Sequence, residues 1–198
     1  RFDQYSNFAR IGEGSLGGKG RGLAFIDHIL KRHTDLNEKP GVQVRIPKTV
    51  VLCTDVFDEF MDSNELYFTA LSELPDEEIL KQFLRSRLPM RLLADLEAFL
   101  QVVDKPIAIR SSSLLEDSHY QPFAGVYSTY MIPFVTDKYD RLSMLSDAIK
   151  AVYASVFFRS SKDYMTATSN VIDQEKMAVI LQEVVGQQHE GRFYPVIS

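Results

Sequence analysis

Two stretches of this chain bring together residue types that bind anions. The first is GEGSLGGKGRGLAFI over residues 12–26, a glycine cluster holding one lysine, Lys19, that runs directly into apolar sequence. The second is IAIRSSSLLED over residues 107–117, an apolar run ending in Arg110, then Ser111, Ser112 and Ser113, then Glu116 and Asp117. A glycine turn at a helix start presents backbone N–H groups and the positive end of the helix dipole, and a lysine there adds a full charge. An arginine at a strand end can hold two phosphate oxygens through parallel N–H bonds, with serine hydroxyls as further donors. The acids beyond it can orient the arginine or face a ribose or a metal. The plainer alternatives are a flexible turn with a solvated lysine, and an arginine paired with Asp117 in an ordinary loop.

Three phosphate signatures can be tested on the glycine cluster. A P-loop needs glycine, four residues, then Gly-Lys-Ser/Thr. Counting back from Lys19, the first glycine position holds Glu13, and Gly20 stands where the magnesium-binding hydroxyl belongs. Gly12, Gly14 and Gly17 spell the dinucleotide string G-x-G-x-x-G. That motif also needs a hydrophobic strand just before it and an acid after the next strand. QYSNFAR reads as a poor strand, and Asp35 falls in a polar turn. A dehydrogenase of this type, which NADH binding would reveal, stays a remote alternative. The kinase glycine loop lacks its downstream V-A-I-K and H-R-D partners.

The elements that must carry these loops are legible from spacing. RGLAFIDHILKRH has apolar residues at helical intervals. VQVRIPKTVVLCT reads as a buried strand, after which Thr54 and Asp55 are expected to cap the helix VFDEFMDS. PDEEILKQFLRSRL, with Pro75 and acids in its first turn, and MRLLADLEAFLQVV read as further helices. KPIAIRSSS is a short strand and GVYSTYMIPF another. DKYDRLSMLSDAIKAVYASVFF is a long amphipathic helix. KMAVILQEVV is a buried strand, expected to pair with GRFYPVIS through the turn GQQHEG. Tyr127, Tyr130 and Phe123 fit core packing better than adenine stacking, and Arg85, Arg87 and Arg91 fit a solvated helix face better than a nucleic-acid patch.

Composition narrows the class. The chain has 198 residues, a net charge of -5 and 45% hydrophobic content, as expected of a globular protein without a basic bias toward nucleic acid. Cys53 stands alone, which excludes a disulfide framework and predicts a small buried side chain in a reducing compartment. No apolar run reaches the roughly 18 residues of a membrane span. The polar start lacks a signal-peptide core and the apolar end lacks a polar tail, so both read as cut from a longer protein.

With these blocks in place, the chain resembles the nucleotide-binding domain of the phosphoenolpyruvate synthase and pyruvate phosphate dikinase family. LGGKGRGLAFI, IPKTVVLCTDVFDEFM, IAIRSSSLLED, PFAGVYSTYMI, AIKAVYASVFF and MAVILQEVV follow in that family's order, from about residue 8 to the end. The resemblance implies an α+β, ATP-grasp-type nucleotide-binding domain with a mixed sheet flanked by helices. Residues 1–198 would be mostly its first lobe.

By the same resemblance, ATP is the ligand, and Lys19 and Arg110 hold its phosphates and carry the catalytic role. Gly17, Gly18, Ser111, Ser112, Glu116 and Asp117 line the same site. Gly125 and Thr129 belong to a loop closing over the phosphates, and Gln182 and Glu183 lie near the hinge and adenine. The family uses Mg2+, whose ligands are expected beyond residue 198. It moves phosphate from ATP to a histidine on a swivelling domain and then to pyruvate on a third domain. These phosphohistidine and pyruvate-binding domains would be partners within one full-length cytoplasmic chain, with room for a homodimer. Of His28, His33, His119 and His189, none has the family's phosphohistidine context, and the fragment alone is expected to be inactive. Gly22, Ser113 and Leu114 depart from the family pattern, as does the aromatic approach SHYQPFAG. They leave open a non-catalytic nucleotide-sensing or regulatory module, or a dikinase with another acceptor.

Overall fold

A computed structural model describes residues 6–33, 43–113, 127–167 and 175–194. In chain order the elements are β1 (Phe8–Ile11), α1 (Gly17–Arg32), β2 (Thr49–Leu52), α2 (Thr54–Ser63), α3 (Tyr67–Ala70), α4 (Asp76–Arg85) and α5 (Met90–Leu100). They continue as β3 (Ile107–Ser112), β4 (Thr129–Ile132), α6 (Lys138–Ser155), α7 (Arg159–Ala167), β5 (Ala178–Glu183), β6 (Gln187–His189) and β7 (Arg192–Tyr194). The fold is α+β, with a mixed sheet flanked by helices. Five strands run in the order β1-β2-β5-β3-β4. β1 is parallel to β2, and every other neighbouring pair in the sheet is antiparallel.

Alternation along the strands divides the sheet into two faces. Val50, Leu52, Ile107, Ile109, Val179 and Leu181 turn into the main core, under α2, α4, α5 and α6. Phe57 lies edge-on to Tyr153 at 5.1 Å and stacks on Phe157 at 6.3 Å, while Phe60 and Phe83 approach to 5.9 Å. Val51, Ala178 and Ile180 turn the other way and are covered by Leu16 and Leu23 at the start of α1, with Phe8. β2 and β5 are therefore buried on both faces, which is why TVVL and AVIL read as unbroken apolar runs.

Caps set several helix starts. Asp137 caps α6 by accepting from Tyr139 N at 2.8 Å and Asp140 N at 2.9 Å. Prolines precede α4 and α5 at their N-caps. Inside the fold, the buried Arg141 of α6 donates to the carbonyls of Val103 at 2.6 Å and Lys105 at 2.8 Å, fixing the turn that delivers β3. Burial holds its guanidinium pKa below the ordinary value, against the opposing field of Asp104.

Three local expectations are corrected. QYSNFAR does contribute a strand: Phe8–Ile11 pairs in parallel with β2, and its half-exposed edge position removes the periodic signal. Among the described residues, KMAVILQEVV does not form a hairpin with GRFYPVIS. β5 sits between β2 and β3, and the hairpin is the separate pair β6–β7, turning at Glu190 and Gly191 with positive φ. Thr54 and Asp55 do not cap α2, whose N-cap is Cys53 without a side-chain capping bond. Their side chains reach across to the glycine loop.

Candidate nucleotide site

The glycine cluster joins β1 to α1 and is held from two sides. Asp55 accepts from Glu13 N through Oδ2 and from Gly14 N through Oδ1, each at 2.9 Å. Thr54 Oγ1 accepts from Ser15 N at 2.9 Å, and Thr54 N donates to Ser15 O at 3.0 Å. Burial alone would raise the Asp55 pKa. The backbone donations, helped by the field of Arg91, outweigh it and hold the carboxyl below its ordinary value. Burial, then the neighbouring Asp55 charge, pushes the Cys53 thiol up, consistent with a buried packing residue.

The end of β3 fixes the start of α1. Gly18 N donates to Ser113 O at 3.1 Å and Gly20 N to Ser112 Oγ at 3.0 Å, while Ser112 Oγ donates to Leu16 O at 2.8 Å. Gly17 N is taken by Ser15 Oγ at 3.1 Å. The amides of Glu13, Gly14, Ser15, Gly17, Gly18 and Gly20 are thus taken by acceptors of the protein itself. Gly17, Gly18 and Ser112 shape the site in this arrangement, and the Ser112 hydroxyl is committed to α1 as both donor and acceptor.

The glycines answer to this packing. A Cβ on Gly12 would meet Asp55 Oδ1 at 2.3 Å, one on Gly14 would meet Thr54 Oγ1 at 2.6 Å, and one on Gly17 would meet Ser112 O at 1.8 Å. The dinucleotide string is thus accounted for by close approach of protein atoms. The Asp55 carboxylate sits on amides that a dinucleotide's phosphates would need, which removes support for that alternative.

Side chains remain to face a ligand. Residues opposed in an antiparallel pair share a face. Thr129, Arg110 and Ile180 form one row across β4, β3 and β5, and Met131, Ala108, Gln182 and Thr49 form the next. Arg110, Thr129 and Gln182 thus lie on the face that α1 covers. From α1, Lys19 Nζ reaches the Ser111 carbonyl at 3.2 Å. Gln182 Nε2 donates to Thr49 Oγ1 at 3.0 Å. Arg110 is half-buried, and the described residues place no hydrogen bond or ion pair on its guanidinium.

Other expected residues stand apart. Ser111 has the opposite pleat, in register with Val179, and offers Lys19 its backbone carbonyl. Glu183 also faces away, where it pairs with Lys105 at 3.0 Å. Glu116, Asp117, Gly125, Phe123 and His119 lie outside the described residues, as does Leu114. Tyr127 and Tyr130 pack with the main core. Among the described residues no three His, Cys, Asp or Glu side chains gather into a group fit for a metal ion. No described helix is long and apolar enough to cross a membrane. Asp55 and Thr54 escaped the sequence reading because Thr-Asp after a strand satisfies a local helix-cap rule, and the long-range use of the same side chains leaves no local signature.

Comparison with known proteins adds the ligand class. No curated protein matches the chain. Residues 13–195 match the family described as pyruvate phosphate dikinase, AMP/ATP-binding domain, a span that holds all six blocks behind the resemblance. The glycine-lysine loop, the Arg110 strand and β5 all fall within the match, and the chain belongs to the pyruvate phosphate dikinase AMP/ATP-binding domain family.

Proposed function

We propose that this chain is the ATP-binding part of an ATP-dependent phosphotransferase related to phosphoenolpyruvate synthase. Lys19 and Arg110 hold the phosphates, with Thr129 beside Arg110 and Gln182 toward the adenine. Glu116, Asp117 and Gly125 complete the site by family correspondence. In this reading the domain is of ATP-grasp type and the chain is mostly its first lobe. Phosphate passes from ATP to a histidine on another domain of a full-length cytoplasmic protein, then to pyruvate. The observation that best supports the reading is the common sheet face of Arg110, Thr129 and Gln182, with Lys19 of α1 reaching the end of the Arg110 strand, within a chain of this family.

The chemistry asked of these residues is electrostatic. Phosphoryl transfer spreads charge over the phosphate oxygens, and positioned cations lower its barrier. Arg110 suits bidentate contact, whereas Lys19 supplies a compact charge. Mg2+, when bound, would supply positive charge that offsets that of the phosphates, with ligands expected from other parts of the protein. A second reading, a nucleotide-sensing module without turnover, draws support from the glycine loop. Its amides are already bound, so side chains carry most of the phosphate recognition.

Calorimetry with Mg-ATP on the wild type, Lys19→Ala and Arg110→Ala tests the site. Each substitution should weaken binding by about tenfold or more, equivalent to about 1.4 kcal/mol. Wild-type binding that both variants retain would remove these residues from the site. Histidine phosphorylation in the full-length protein separates the enzyme from the sensor.

A further inference from the structure

We infer that Asp55 and Thr54 are positioning residues for phosphate recognition. They act through the glycine loop and do not touch the nucleotide. The inference rests on the ATP reading of the site. It starts from a division of labour visible in the bonds. Asp55 takes two loop amides, Thr54 a third, and the hydroxyl and carbonyl groups at the end of β3 take those at the start of α1. Lys19 stands between Gly18 and Gly20, whose amides the end of β3 holds, and the Asp55–Thr54 clamp holds the loop that leads into this turn. A lysine side chain is long and loses rotamer freedom on binding, so a fixed backbone beneath it reduces the cost of placing its charge.

The chemistry of the clamp is specific. A carboxylate offers acceptor capacity on both oxygens, which is what two adjacent N–H groups require. An asparagine of the same shape accepts through one oxygen and presents an NH2 group where the second amide points. Thr54 contributes its hydroxyl oxygen, and valine keeps the shape without that acceptor. The absent Cβ atoms of Gly12 and Gly14 let these groups approach, so glycines and clamp form one device. Loosening it shifts the start of α1 and with it the Lys19 ammonium. Displacements near 1 Å carry costs of up to about a hundredfold at a reacting site.

The test uses the full chain and compares two ligands by calorimetry, ATP and adenosine, which lacks phosphates. Asp55→Asn and Thr54→Val should each weaken ATP roughly tenfold while leaving adenosine affinity unchanged, and Thr54→Ser should restore ATP binding. Parallel loss of both ligands overturns the inference, because it marks a general effect on the fold. So does wild-type ATP affinity in both Asp55→Asn and Thr54→Val. If Lys19→Ala loses ATP and the clamp variants do not, the inference alone fails. If the wild type binds no ATP, the nucleotide reading fails and takes the inference with it.

Discussion

At the scale of single residues, Gly17 and Gly22 lie on the same helix with opposite constraints. Gly17 has φ of 68° and the Ser112 carbonyl where its Cβ would be, while Gly22 has open space. Gly17→Ala combines left-handed strain with overpacking and should cost about 2–5 kcal/mol. Gly22→Ala removes backbone entropy from an exposed helix interior and should stabilise by about 0.5–1 kcal/mol. Urea unfolding of the two variants checks both signs. Tyr153 buries a hydroxyl that has no partner among the described residues, and its desolvation raises the phenol pKa strongly. Tyr153→Phe should therefore leave stability unchanged or raise it by about 1 kcal/mol in the same assay.

Asp55 adds a pH dependence at this scale. Its folded-state pKa lies below the ordinary 3.8, so its contribution is complete above the unfolded value and disappears as pH falls through the folded one. Denaturant unfolding between about pH 6 and about pH 3 should show a smaller acid loss for Asp55→Asn than for the wild type. Equal acid losses would remove Asp55 from the acid response.

At the scale of elements, periodicity revealed what local packing governs. α1, α4, α5 and α6 and the buried strands β2, β3 and β5 follow from apolar spacing and caps. Lys19 and Arg110 were legible as anion-binding residues because residue type and position at an element end coincide. Their meeting was not, because it depends on α1 packing against the end of β3, where Lys19 contacts a residue 92 positions away. The same limit explains the corrected hairpin. KMAVILQEVV carries no mark of which strands it joins, and its neighbours are set by the double-sided burial of Val179, Ile180 and Leu181. The edge strand β1 went unseen because one partner and partial exposure impose little on its side chains. Arg141→Met tests an element junction. It leaves the carbonyls that fix the approach to β3 without their donor, and should cost about 1–3 kcal/mol by chemical denaturation.

At the scale of the whole molecule, the candidate site is assembled by the sheet. α1 comes from one end of the sequence and β5 from the other, and both meet on the face holding Arg110. Nucleotide binding to the folded state alone should raise the midpoint of thermal unfolding, by an amount equivalent to about 2.7 kcal/mol at a hundred times Kd. Differential scanning calorimetry across an ATP series measures it. No shift at saturating ATP would contradict binding to the folded state.

The strand order also bears on how the protein acquires its shape during synthesis. β2 and β3 touch only through β5, which leaves the ribosome after every other strand of the large sheet. Until then the nascent chain holds two unjoined halves, β1–β2 and β3–β4, each with an open inner edge. Those edges can recruit other chains, and the distant pairings that close them slow folding. A chain ending before residue 175 should lack a cooperative unfolding transition and depend on chaperones. Ribosome-bound chains should become protease-resistant only once β5 has cleared the exit tunnel.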